Sequence, residues 1–538
     1  LSASGAKGGL GRNLLSVGGF TLLSRITGFL RDVMLGAILG ASALADAFFI
    51  AFRLPNHFRA IFGEGAFNAA YVPAYSRVLE TEGAAKAKEF SAQIFTLLLV
   101  SQVIILVLAL VFTRTLIEWL APGLEKDPEK FAQAVTMTRI TFPYLLCVTL
   151  VTLFAGTLNA NGRFAAAAFA PVLLNLSIMA LLAVAFLFPN AGIAAAAGIL
   201  VAGVLELWLV IEASRRAGIL AFFARPGWTD DIKKFFKAFV PAVIGSAGVQ
   251  IALFADTIIG SMLPTGGLSS IYYADRLYQL PIGVIGIAAG TVLLPEMSRR
   301  FAAGDNAGAL DVQNRTMALT IALAAPFFVA FMVMPDLIMR GVFMRGAFTA
   351  ADAAAAASVL FAYGSGLFAI VLIRSAVASF QARGDTTTPM IISLTAVAIN
   401  LGIKLLLFAP LGAQGLAIAT AAGAWINFIL LALLATRRGD MEFGSVLKKT
   451  VLASLIACAV LAPIAWFGVA PAVKFAASLT VHADVMALLI LGAAGAIIYF
   501  TVLVSMLYAL GLRPGSLRAR RATPAAPARI DPDQSPPV

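Results

Sequence analysis

The sequence predicts an all-α polytopic membrane protein of about 14 transmembrane helices, arranged as two pseudo-symmetric six-helix lobes plus two C-terminal helices. Composition, the length of the uncharged runs and an internal repeat predict it. The 538 residues are 60% hydrophobic and only 12% charged, with a mean hydropathy of +0.93. A soluble globular protein carries about 25% charged residues, and half that allowance does not cover a water-facing surface. A hydrocarbon core of about 30 Å needs roughly 20 apolar residues in a helix. Residues 90–113, 140–162, 316–335, 353–373, 450–473 and 485–512 each supply an uncharged run of that order.

Taken along the chain, runs bounded by charge, Pro and Gly give helices over 13–40, 43–80, 89–120, 131–160, 164–188, 191–217, 231–263, 270–300, 310–341, 353–382, 389–409, 413–437, 445–468 and 483–512. The uncharged stretch 164–205 is long enough to cross twice, turning at Pro189-Asn190. The second run holds Pro55, Gly63, Gly65 and Pro73 and is expected to kink or break. The first run continues as a charged, Gly-containing helix and does not read as a cleavable signal peptide. Residues 1–12 are read as a disordered N-terminus or a cloning remnant. Residues 513–538, rich in Pro, Ala and Arg, are read as a disordered tail near anionic headgroups.

Orientation follows from the basic residues. With the N-terminus in the cytoplasm, 25 of the 39 Lys and Arg fall on that side and seven on the other. The positive-inside rule therefore expects both termini in the cytoplasm. The net charge of +12 is mostly this asymmetry and does not point to nucleic acid.

The repeat emerges from ordered landmarks. Pro73-Ala-Tyr-Ser-Arg77 matches Pro295-Glu-Met-Ser-Arg299, Leu54-Pro55 matches Leu280-Pro281, and Asp32 matches Asp256. Gly162 matches Gly384 and Asn175-Leu176 matches Asn400-Leu401, all at offsets between 222 and 226. This divides the chain into an N-lobe over 13–217, a C-lobe over 231–437 and two added helices over 445–512. Six helices per copy is even, so the copies are parallel repeats with a substrate path between them.

Seven basic residues fall within or close to the spans: Arg25, Arg31, Arg53, Arg59, Arg276, Arg374 and Lys404. A basic residue at a helix centre costs from about 2.5 kcal/mol to well over 10, so such groups face a wet cavity or a partner. Arg25 and Asp32 are seven residues apart, as are Asp46 and Arg53, which places each pair within roughly 20° on one helix face. Asp275-Arg276 precedes the Leu280-Pro281 kink. Arg25, Arg31, Arg53, Arg59 and Arg276 against Asp32, Asp46, Glu64 and Asp275 leave one net positive charge. Structural ion pairs are an equal reading for Asp46 and Asp275. Arginine's planar, permanently charged fork suits phosphate, and five near one cavity imply an anionic ligand. Arg53 stays a substrate-binding candidate ranked below the other four, since a place near an interface, where it snorkels, is the alternative; Arg374 is read as structural or at the lobe interface.

Other chemistry finds no support. There is no Gly-x-x-x-x-Gly-Lys-Ser/Thr loop for ATP, no His-Glu-x-x-His and no Gly-x-Ser-x-Gly elbow with a matching acid and histidine. His57 and His482 are read as non-catalytic, and Cys147 and Cys458 as space-filling thiols. No cofactor is expected, and no metal beyond the question raised below.

Ser24-Arg-Ile-Thr-Gly-Phe-Leu-Arg-Asp32, Asp46-Ala-Phe-Phe-Ile-Ala-Phe-Arg-Leu-Pro-Asn56, Arg59-Ala-Ile-Phe-Gly-Glu-Gly-Ala-Phe67 and Tyr272-Tyr-Ala-Asp-Arg-Leu277 resemble MurJ/MviN proteins. The resemblance runs from about residue 12 through the last helix. It implies a flippase of the MOP superfamily, not an enzyme, that moves lipid II, an undecaprenyl-pyrophosphate-linked peptidoglycan precursor, across the bacterial inner membrane by alternating access. A polysaccharide-repeat flippase or a cation-coupled drug exporter of the same superfamily is the alternative. Lipid II and membrane lipids are the implied partners, with cell-wall synthesis proteins as further ones. By position, Arg25, Arg31, Arg59 and Arg276 match the family's cavity arginines, and Asp32, Asp46 and Asp275 its cavity acids. The resemblance also implies that the two added helices offer a hydrophobic groove for the prenyl tail. Gln279 stands where some relatives have Glu. Relatives that bind sodium hold it at positions matching Asp256, Asn400 and Thr420, but Lys404 replaces a further acid. The expectation is that its ammonium pairs with Asp256 in place of the ion.

Overall fold

The computed structural model describes residues 4–59, 66–225, 227–513 and 515, with the side chains at 4–16, 58, 66, 244–252 and 287–292 excepted. Among them lie α1 (Ser4–Leu39), α2 (Ala43–Arg59), α3 (Ala66–Thr81), α4 (Ala84–Val111), α5 (Thr113–Leu120), α6 (Pro128–Thr141), α7 (Pro143–Ala160), α8 (Ala165–Ala183) and α9 (Ala191–Arg216). The second half holds α10 (Asp230–Ser261), α11 (Gly267–Ala302), α12 (Asn306–Val333), α13 (Pro335–Phe343), α14 (Ala350–Gly364), α15 (Leu367–Gln381), α16 (Thr387–Arg437), α17 (Ser445–Leu479) and α18 (Ala483–Ala509). No strand occurs among the described residues.

The expected runs are occupied by helix, and several are interrupted where the local chemistry requires it. Pro143 and Pro335 each open a new helix, because a proline ring clashes with the preceding turn and supplies no N–H. The runs 389–409 and 413–437 join into α16, broken only at Gly412 (φ 53°, ψ −129°) two residues after Pro410. Helix starts are capped by side chains: Asp127, Asn190, Thr229 and Asp305 each accept a first-turn N–H, and Thr349 with Asp352 forms a capping box.

Two boundaries need comment. α1 begins at Ser4, so helix extends into the stretch 1–12 expected to be disordered; no proline separates that stretch from the apolar run that follows. Residues 1–3, the expected break at Gly63 and Gly65, Glu64, and the tail from 516 onward lie outside the described residues.

Nine segments among the described residues are long and apolar enough to cross a membrane, from Ala84–Val111 to Ala483–Ala509. Among the described residues the buried charges are Arg31 and Asp32 on α1, Asp46 on α2, Lys130 on α6, Glu206 on α9 and Lys404 on α16. Helix pairing follows one order in both halves. α1 packs on α8 as α10 packs on α16, α4 on α7 as α12 on α15, and α7 on α9 as α15 on α16. α17 pairs with α18 and joins the C-terminal half through α12. Between the halves, α3 packs on α10 and α2 on α11. There Phe49 stacks on Tyr272 at 3.8 Å and meets Tyr273 edge-on at 5.5 Å. This aromatic contact sets α2 and α11 side by side.

Candidate functional site

Where the halves meet at one end, the joint is sealed around Asp46. Its carboxylate accepts Lys130 Nζ (2.7 Å), the backbone N–H of Gly266 (2.9 Å) and Ser269 (2.9 Å), and Ser269 Oγ (2.5 Å). Asp46 and Lys130 are both buried. The acid thus caps the first turn of α11 from α2, where unpaired N–H groups and the helix dipole favour a negative charge. Gly266 holds φ 86°, and a Cβ there would stand 2.7 Å from the Ala41 carbonyl oxygen, so only glycine permits this approach. Nearby, Ala347 N–H donates to Ala37 C=O at 2.8 Å. Asp46 thus makes the structural ion pair that is one of its two equal readings from sequence, and its acceptor directions are taken at this joint.

Deeper, Arg31 and Asp32 form a buried knot. Arg31 donates Nε (3.0 Å) and Nη2 (2.7 Å) to Asp32 Oδ1, and Nη1 to Asn175 Oδ1 (2.9 Å). Tyr272 donates its hydroxyl to the same Asp32 oxygen at 2.9 Å. Arg31 thereby ties α1 to α8 and, through Asp32 and Tyr272, to α11. Its guanidinium is engaged on three sides in this state.

Arg276 differs. It lies over the Tyr272 ring at 4.6 Å, 3.8 Å from Asp32 Oδ2, and its Nε has no hydrogen-bond partner. With Arg53, Asp275, Asp256 and Lys404 it lines a compartment of about 270 Å³. Arg53 makes no hydrogen bond or ion pair among the described residues and lines this compartment. Asp275 accepts from Gln279 on the next turn. His57 Nε2 meets Thr257 Oγ1 at 3.1 Å on the same wall.

Arg25 sits apart. It is exposed on α1 and lies so close to α11 that a Cβ on Gly283 would overlap its guanidinium. Arg59 closes α2, donating Nε to Asn56 Oδ1 at 3.2 Å. Lys404 donates to Asp256, joining α16 to α10. Asn400 and Thr420 line the adjoining space of about 240 Å³, where Asn400 donates to the Ala419 carbonyl and Thr420 to the Leu416 carbonyl.

The structure thus brings Arg53, Asp275, Arg276, Asp256 and Lys404 together, holds Arg31 and Asp32 beside them, and leaves Arg25, Arg59 and Asp46 at separate stations. Sequence reasoning missed Lys130, Ser269 and the hydroxyl of Tyr272, which act on partners far away in the chain. It also missed Glu206, buried in α9 one residue beyond an uncharged run. The compartment presents three cations against two acids. That lining suits an anion, and a guanidinium with an unused N–H is a ready phosphate donor.

Comparison with known sequences points to one family. The family model described as Lipid II flippase MurJ matches residues 35–489. A probable lipid II flippase MurJ of Rhizobium meliloti (strain 1021) is 40% identical over 460 residues, 84% of this chain and 86% of the relative. The Lipid II flippase MurJ of Burkholderia cenocepacia is 34% identical over 440 residues, covering 80% and 84%. Among solved structures, a lipid II flippase MurJ in an inward closed conformation aligns with TM-score 0.76 at 24% identity, over 92% of this chain and 99% of that one. An inward-facing multidrug resistance MATE family transporter of the MOP superfamily aligns with TM-score 0.65 at 14% identity, over 79% and 97%. At these identities the structural likeness concerns the fold.

Proposed function

Since this chain belongs to the lipid II flippase MurJ family, we propose that its central compartment grips the diphosphate of lipid II through Arg276 and Arg53, with Arg31 held in reserve by Asp32. The protein is a multi-pass bacterial inner-membrane transporter, not an enzyme, and it flips lipid II. The observation that carries the site assignment is that Arg276 and Arg53 line one compartment, where Arg53 makes no hydrogen bond or ion pair among the described residues and Arg276 Nε has no hydrogen-bond partner. Arg25, on the α1 side of the gap to α11, meets the anion on the way in, and Arg59 lies at the far end of α2.

The two lobes, 13–217 and 231–437, rock about this compartment with both termini in the cytoplasm. In the present state the Asp46 seal closes the outer end. Outward passage of negative charge is helped by an inside-negative potential, by about 2.3 kcal/mol per charge per 100 mV. An apolar groove of about 400 Å³ between α11, α12, α17 and α18, lined by Val284, Phe327, Leu461 and Phe500, receives the prenyl tail. Cell-wall synthesis proteins are proposed as partners on the strength of the cargo alone.

The test is Arg276→Ala in a strain depleted of its own lipid II flippase. Flipping is expected to be lost while membrane insertion and abundance stay normal; normal wall synthesis on that variant would sink the assignment. The Lys404–Asp256 pair supports a second reading, that a fixed ammonium stands where relatives hold sodium. Sodium is then expected to leave the melting temperature of the wild type unchanged. A sodium-dependent rise that Lys404→Ala does not alter would refute it.

A further inference from the structure

At the sealed end, on the outside of the N-terminal half, a groove of about 810 Å³ opens between α5 and α6. None of the chemistry above uses it. On α6 its wall is one helical face, running from Pro128 through Phe131 and Val135 to Arg139. Arg139 lies 11 residues past Pro128, about 16 Å along the axis, inside the apolar segment Pro128–Ala160. Its side chain is exposed, and it makes no hydrogen bond or ion pair among the described residues. Arginine keeps its proton, so an exposed guanidinium with no carboxylate partner, in the outer part of a segment longer than the bilayer core, is open to a headgroup anion.

The rim of the groove carries the opposite sign as well. Arg114 Nε donates to Glu118 Oε1 at 2.9 Å and its guanidinium lies 5.4 Å from the Phe131 ring centre. Glu125, exposed, has no donor among the described residues. Two guanidinium groups share the lining with two carboxylates, Arg139 farthest along α6 and the acids at the turn that joins α5 to α6. A simple anion would leave the acids opposed to it. A headgroup with its phosphate next to the acyl chains and an ammonium further out matches both the signs and their order.

We propose that this groove binds an aminophospholipid from the leaflet at the sealed end, its phosphate on Arg139 and its primary ammonium on Glu118 and Glu125. The Arg139 stem snorkels along the groove to bring its charge up to the phosphate, and the acyl chains lie along Ala132 and Val135. This site is separate from the flippase compartment and does not depend on the identity of the cargo.

The test uses the full-length protein, delipidated in detergent and titrated with phosphatidylethanolamine or phosphatidylglycerol, with bound lipid counted by native mass spectrometry. Phosphatidylethanolamine should bind preferentially. Arg139→Gln should weaken it by about tenfold, the size of one charged hydrogen bond, and Arg139→Lys should restore part of the loss. The double variant Glu118→Gln with Glu125→Gln should bind both lipids alike. Equal binding of the two lipids by the wild type, binding confined to a lipid-linked diphosphate, or an Arg139→Gln variant with unchanged retention would each overturn the proposal.

Discussion

The seal around Asp46 and the compartment around Arg276 are built from the same materials and finished differently. At the seal, one carboxylate receives four donors, and its lysine partner is buried with it. In the compartment, Arg276 keeps an unused N–H and Arg53 makes no ion pair among the described residues. A charge whose partners are all supplied by the protein fixes a conformation, because removing any one of them leaves the rest stranded. A charge left short of partners in a wet cavity waits for a ligand. Arg31 stands between: it is fully engaged, yet it shares Asp32 with Arg276, which is not.

The contrast can be broken most sharply at Arg31. Arg31→Ala leaves the buried Asp32 with only the Tyr272 hydroxyl and the more distant Arg276 and is expected to destabilise the protein by about 3–5 kcal/mol, read as a large drop in melting temperature in detergent. An unchanged melting temperature would move Arg31 from the structural class to the ligand-binding one. Asp46→Asn keeps the shape of the cap but loses the charge that holds Lys130, an effect of about 1.5–3 kcal/mol. Its readout is faster labelling of an Ala41→Cys thiol by an impermeant reagent, and equal labelling rates would show that the acid does not hold the seal. Arg53→Ala should scarcely change stability, by less than about 0.5 kcal/mol, while slowing flipping by about tenfold through one lost charged contact. A stability loss as large as that of Arg31→Ala would mean that Arg53 is structural after all.

Much of the architecture was legible because bilayer thickness dictates run length, and run length survives without any knowledge of contacts. The interruptions were less so. Pro143 and Pro335 lie inside apolar runs that hydropathy alone treats as continuous, and only the proline geometry breaks them. At the site, buried arginines announced themselves by their cost. Their relative depth did not. Asp46 and Arg53 share a helix face at seven residues, but seven residues also span about 10 Å along the axis. One therefore reaches the seal while the other reaches the compartment. Lys130 and Tyr272 stayed hidden because their partners lie 84 and 240 residues away, and no local period carries that information.

Convergence of the closing contacts on a single carboxylate has an energetic corollary for the cell. α11 meets α2 and α6, both of the N-terminal half, on this one carboxylate, so its release there is expected as one event and not as successive loosening. A bacterium charges its inner membrane with protons, and a carrier ajar at both faces would drain that store. An all-or-none hinge-pin keeps a wide cargo route compatible with an insulating membrane.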